Sequence, residues 1–239
     1  MQKTAVVTGA GSGVGRAVAL QLAREGWNVA LLGRRVEPLK ETIGLAGSTS
    51  SNLVAIQCDV ASEADVKRMP ERVRETLGAV SVIVNSAGIN IPKRALAELS
   101  VEDFQKVVDV NLTGAFLVIH VFLPEMRKAR AGTIVNVISD AGVTANRFSG
   151  AAYAASKFGL TGLTATINVE ERNNGIRATA ILPGEINTPL LDKRPVPPPA
   201  EARARMLQPE DVAACVMLAI NLPQRATVEQ LLVRPREMK

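Results

Sequence analysis

The chain has 239 residues, 47% hydrophobic and 21% charged, with a net charge of +5 and a pI near 9.5. That composition supports a sizeable core. Lys and Arg are scattered and aromatic residues make up only 3%, which argues against nucleic acid as the main partner. Cys58 and Cys215 are too isolated to form a disulfide framework or a metal cluster. The one histidine, His120, sits in AFLVIHVFL and reads as a core or interface residue, so no metal site is expected. No apolar run reaches the roughly 18 residues of a membrane span. The start, MQKTAVVTGAG, lacks a basic segment followed by an apolar one, so no membrane association and a cytoplasmic location are expected.

In chain order, short β-branched runs alternate with helical patterns. TAVVT (4–8) predicts a strand. Val14 to Glu25 predicts a helix, with Val14, Val18 and Leu22 on one face and Gly26 as its stop. NVALL (28–32) is a second strand, followed by a charged helix from about Val36. LVAIQC (53–58) is a third, followed by a helix from Glu63 to Leu77. VSVIVN (80–85) is a fourth, followed by a long helical region from Val101 to Arg130. TIVNVI (133–138) is a fifth strand, before a helix carrying Tyr153 and Lys157. IRATAIL (176–182) is a sixth, and a helix at Pro209–Ala219 precedes a last strand, VEQLLV (228–233).

Strands that are apolar throughout suit a mainly parallel sheet covered on both faces. The βα alternation predicts one doubly wound, Rossmann-type α/β domain over 1–239, with about seven strands. The proline-rich stretch PLLDKRPVPPPAEARAR (189–205) predicts a loop. It is either a spacer or a cover over a site beyond the strand ends. GAFLVIHVFL (114–123) is apolar almost all round, which suits either core or a subunit interface.

The first strand runs into TGAGSGVG (8–15). Gly9, Gly13 and Gly15 allow a tight strand-to-helix turn, and the helix N-terminus at Ser12, Gly13 and Val14 then offers free amides to a phosphate. The second strand ends Gly33-Arg34-Arg35, with no acid for an adenosine ribose hydroxyl. Arg34 and Arg35 could instead pair with a 2′-phosphate, which favours NADP(H) over NAD(H).

These features, taken together over nearly the whole chain, resemble the compact branch of the short-chain dehydrogenase/reductase family. Thr8-Gly9-x3-Gly13-Val14-Gly15 is similar to its cofactor turn, and Asp59-Val60 to its adenine-contacting pair. Asn85-Ser86-Ala87-Gly88 is similar to its NxAG segment. Asn111 in DVNLTGAF, Ser139 in IVNVISDAG, and Tyr153-x3-Lys157 are similar to its catalytic asparagine, serine and tyrosine–lysine pair. Pro183-Gly184, with Ile186 and Thr188 beyond, is similar to its segment near the nicotinamide. The resemblance implies that Lys157 also holds the nicotinamide ribose and that Asn111 supports a water relaying protons to it. It implies a homodimer or homotetramer with 114–123 at the interface, and a small-molecule carbonyl/alcohol substrate.

The chemistry of the residues agrees. Exchanging a hydride between a nicotinamide and a carbonyl carbon needs a group that gives or takes the hydroxyl proton. A free phenol titrates near ~10, and an ammonium at i+4 is expected to lower that value. Ser139 could stabilise charge on the substrate oxygen. The chain departs from the family pattern at Ile138-Ser139, where two serines are frequent, and in its ending VEQLLVRPREMK. Asp140 and Glu185 place acids near the expected pocket, to select a polar substrate or to face water. The alternative of another class is a dinucleotide-sensing protein on the same fold, which would have lost the catalytic side chains that this chain keeps.

Overall fold

The alternation of side chains along each strand decides the layering in the computed structural model, which describes residues 3–146 and 148–237. β1 (Thr4–Thr8) leads into α1 (Gly13–Arg24), and β2 (Asn28–Gly33) into α2 (Val36–Leu45). A 3-10 turn, Gly47–Asn52, precedes β3 (Leu53–Gln57), and α3 (Glu63–Lys67) and α4 (Met69–Leu77) follow it. Then come β4 (Val82–Asn85), α5 (Val101–Val108), a π-helical turn at Asp109–Thr113, α6 (Gly114–Ala129) and β5 (Gly132–Val137). α7 (Ala151–Glu171), β6 (Ile176–Pro183), α8 (Ala200–Ala204), α9 (Pro209–Asn221) and β7 (Gln230–Val233) complete the order.

All seven strands are parallel, in the order β3-β2-β1-β4-β5-β6-β7. In β1, Ala5 and Val7 enter the core layer shared with α1 and α9. Val6 enters the opposite layer, with side chains of α4, α5, α6 and α7. Both faces are covered, so both sets of side chains are apolar, and the strands show no polar alternation. The chain reverses its direction of travel across the sheet between β1 and β4. The carboxyl ends of those two strands therefore open the crevice where ligands bind in such sheets.

The expected 63–77 helix is broken at Arg68. Pro70 has no N–H to give and its ring crowds the carbonyl four residues back, so α4 starts afresh with Pro70 in its first turn. Ser62 and Ser100 cap α3 and α5 with their side chains, and Gln208 and Asp211 form a capping box on α9. The stretch 189–205, expected as a loop, holds a 3-10 turn at Pro189–Lys193 as well as α8.

The helical run Val101–Ala129 reaches a mean hydropathy of 1.7, apolar and long enough by composition alone to cross a membrane. Here one face is taken up by the sheet, where Val107, Val118, Phe122 and Met126 are fully buried. On the other face Phe116 and His120 are exposed and stacked, with ring centroids 5.4 Å apart. His120 is therefore not a core residue.

Arg177 on β6 is buried, yet all five of its N–H groups are engaged. They donate to the Thr133 hydroxyl and to the carbonyls of Ile220, Leu222, Pro223 and Ala226. It thus satisfies the open C-terminal carbonyls of α9 and fixes the return of the chain to β7.

Candidate functional site

The turn after β1 is built for close approach. Gly9 has φ +66, and a Cβ there would stand 2.9 Å from the Ala87 Cα. Gly13 has φ +52, and Gly15 packs directly on the Gly9 carbonyl. Two ties hold this turn in place. The Ser86 and Ala87 amides both donate to the Thr8 hydroxyl at 3.0 Å, joining the ends of β1 and β4. Arg16 donates to the Gly11 carbonyl, the Thr42 hydroxyl and the Glu41 carboxylate. Ser12 stands at the N-cap of α1 with extended backbone and no side-chain cap, so the first amides of the helix stay free.

A cavity of about 450 Å³ starts at this turn and ends among polar side chains beyond β5. Gly9, Ser12, Gly13 and Val14 line one end, with Ala87 and Gly88 beside them. Pro183, Gly184, Ile186 and Thr188 line the β6 side, and Ser139, Tyr153 and Lys157 the far end. These predicted residues therefore come together in one place.

Lys157 is 3% exposed. Its Nζ donates to the Val137 carbonyl at 3.1 Å and lies 5.5 Å from the centre of the Tyr153 ring. Ser139 Oγ donates to Asp140 at 3.2 Å and accepts from the Ala141 amide. Burial pushes the Tyr153 phenol up to about 12 and the charge of Asp140 adds to this, while the neighbouring Ser139 hydroxyl and the charges of Arg94 and Arg194 act against it. Burial also brings Lys157 down to about 8. The expected lowering of the phenol by its i+4 ammonium is thus reversed, because loss of solvent outweighs the nearby charges.

Asn111 is fully buried in the π-helical turn. Its Oδ1 accepts from the Ile89 amide at 2.8 Å, and its Nδ2 donates to the Ile89 carbonyl and to Ser156. Both amide hydrogens are used within the fold, and the side chain fixes Ile89, next to Gly88. Asn85 also lies outside the cavity. It donates to Asn136, which donates to Thr164, a polar ladder from β4 through β5 to α7.

Beyond the carboxyl ends of β2 and β3, Arg34 and Asp59 line a second hollow of about 590 Å³, with Gln57, Arg68 and Arg72. Arg35 is exposed at the N-cap of α2. The Val60 side chain is buried against Gly114, so only its backbone is left to meet a ligand.

Sequence patterns did not point to Asn90, Arg94, Phe148 or Arg194, all of which line the first cavity. The 189–205 segment supplies Pro189, Leu190, Leu191 and Arg194 to its wall. The base of that segment is held by the pairing of Glu185 and Asn187 with Leu207.

Comparison with known proteins gives a consistent picture. The family model described as short chain dehydrogenase matches residues 3–196. D-beta-hydroxybutyrate dehydrogenase of Rhizobium meliloti is 34% identical over 97% of this chain and 89% of its own length. Sepiapterin reductase of Chlorobaculum tepidum is 34% identical over 98% of this chain and 97% of its own. The structure of an alcohol dehydrogenase from the archaeon Thermococcus sibiricus, complexed with 5-hydroxy-NADP, is similar with a TM-score of 0.87 and 28% identity. That similarity covers 99% of this chain and 98% of the archaeal one.

A buried ammonium costs stability only while it is protonated. Wild-type stability should therefore rise as pH climbs from about 8 toward the ordinary lysine value of 10.5, a window in which the unfolded chain holds the extra proton. Lys157→Met lacks this gain. Urea unfolding at about pH 7 and about pH 9.5 should show the stability difference moving in the wild type's favour at the higher pH. A difference that does not change with pH contradicts the burial of a charged Lys157.

Proposed function

The chain belongs to the short-chain dehydrogenase/reductase family, and we propose that it interconverts a ketone or aldehyde with an alcohol by hydride transfer, using NADP(H) in preference to NAD(H). The observation that carries this reading is the continuous cavity from the glycine turn to Ser139, Tyr153 and Lys157. The cradle fits a dinucleotide: the turn at Gly9 and Gly13 leaves no space for a Cβ at its tightest point, and the uncapped start of α1 presents free amides to a pyrophosphate. When bound, the nicotinamide supplies or accepts the hydride at the substrate carbon. The 5-hydroxy-NADP of the archaeal relative and the hydroxybutyrate dehydrogenase and sepiapterin reductase names support the same reading.

In the reduction direction, Tyr153 gives its proton to the carbonyl oxygen while Ser139 holds that oxygen by a hydrogen bond. The raised phenol is in its protonated, donating form at neutral pH. Lys157 holds the nicotinamide ribose and supplies the proton that replaces the one the phenol gives up. Asn111 positions Ile89 and thereby the backbone beside Lys157. Arg34 and Arg35 receive the 2′-phosphate.

The whole chain works as one such unit in the cytoplasm, with 189–205 covering the substrate. It forms a homodimer or homotetramer through the outer faces of α5, α6 and α7, where Phe104, Phe116 and Phe158 are exposed. A light-scattering mass of a single chain contradicts that assembly.

Tyr153→Phe should lower kcat by about a thousandfold or more while NADPH still binds, as followed by NADPH fluorescence. Full turnover in that variant contradicts the assigned acid. Arg34→Asp combined with Arg35→Ala should lower the NADPH/NADH ratio of kcat/KM by at least about tenfold, the scale of one lost charge-assisted contact. An unchanged ratio rules out their contact with the 2′-phosphate.

A further inference from the structure

Arg94 is a buried cation on the cavity wall that the mechanism does not use. It is 8% exposed, and a guanidinium stays charged in such a place. It donates to three carbonyls from separate segments: Ile91 at 2.7 Å, Phe148 at 3.1 Å and Lys193 at 2.7 Å. A guanidinium has five N–H groups, so one N–H on each terminal nitrogen is left over.

The other charges around the cavity are accounted for. Asp140 faces Arg234 at 3.7 Å and accepts from Ser139. Glu185 pairs with Arg194 at 2.8 Å. Lys157 belongs to the catalytic cluster. Among the described residues no carboxylate pairs with Arg94, although burying a charge without a counter-ion is costly.

Two neighbours add to the same sign of potential. Arg194 lines the cavity and stands over the Phe148 ring at 6.0 Å, and half of the Glu185 side chain that pairs with it is exposed to solvent. Gly150, packed on the Arg94 backbone and side chain, opens α7 with no capping side chain and no acid in its first turn. Arg94 and Arg194 share the wall of this cavity with Ser139 and Tyr153.

We infer that the substrate carries a carboxylate, received by Arg94 and Arg194 while its carbonyl meets Ser139 and Tyr153. The planar forks of two guanidiniums match a carboxylate, and their place on one cavity wall with the phenol puts the acid and the reacting carbonyl in one small molecule, an oxo acid or its hydroxy acid. This rests on the carbonyl–alcohol reading of the same cavity and narrows it.

The test is NADPH oxidation with a series of 3-oxo carboxylates, each beside its methyl ester. The acids should exceed their esters in kcat/KM by at least about tenfold, the scale of charge-assisted hydrogen bonds. In Arg194→Gln and in Arg94→Lys the acid/ester ratio should fall to within about threefold of one, through a raised KM for the acid. Arg94 ties three segments together, so Arg194→Gln decides the matter if the Arg94 variant does not fold. Thermal unfolding in the presence of NADP+ should show the acid, and not the ester, raising Tm. Turnover of esters and neutral ketones with no advantage for the acids, or a ratio unchanged in Arg194→Gln, overturns the carboxylate and leaves the oxidoreductase reading standing. No NADPH oxidation with any carbonyl compound overturns both.

Discussion

The bond from the buried Lys157 ammonium to the Val137 carbonyl joins the chemistry of this chain to its sheet. Val137 ends β5, and Ser139 lies two residues beyond it. One hydrogen bond therefore sets helix α7 at the height where Tyr153, one turn before Lys157, meets the serine. The ladder of Asn85, Asn136 and Thr164 repeats the same tie deeper in the fold, from β4 through β5 to α7. The two Thr8 contacts carry it on to β1 and the glycine turn. Each tie is polar and most are buried, so none of them can slide without leaving an unpaired group in the core. The cavity inherits its shape from this chain of bonds.

Burial gives the site its electrostatic character as well. It raises Tyr153 and lowers Lys157, opposite displacements from one cause, since both neutral forms are favoured. The groups that act against this at the phenol are the Ser139 hydroxyl and two arginines across the cavity, not the lysine of its own helix. The phenol is thus in its acid form at neutral pH, and an ammonium near its titration point is a suitable source for the proton it gives up.

Much of this was legible in the sequence because it is local. A glycine turn at a strand end, a tyrosine and lysine one turn apart, and apolar strands in alternation with helices are all set by neighbours in the chain. The parallel direction of the strands followed from the same alternation; their order in the sheet did not. What could not be read is what depends on distant parts of the chain. Arg94 meets carbonyls 54 and 99 positions away, and nothing in IPKRAL marks it. The direction of the Tyr153 shift needed the burial of the phenol, which the period of a helix does not contain. Asn111 was identified by its motif, but its partners at Ile89 and Ser156 were not. The helix break at Pro70 was readable in principle, because an interior proline removes a bond and adds a clash; the apolar spacing around it hid the break.

The central claim is that this cavity moves a hydride to a carbonyl carbon while Tyr153 supplies the proton. The most direct measurement is to reduce a carbonyl substrate with NADPH deuterated at the transferring position of the nicotinamide and to examine the alcohol by NMR. The account predicts deuterium on the carbinol carbon and an ordinary, solvent-exchangeable proton on the oxygen. An alcohol whose carbinol carbon carries no deuterium would contradict it.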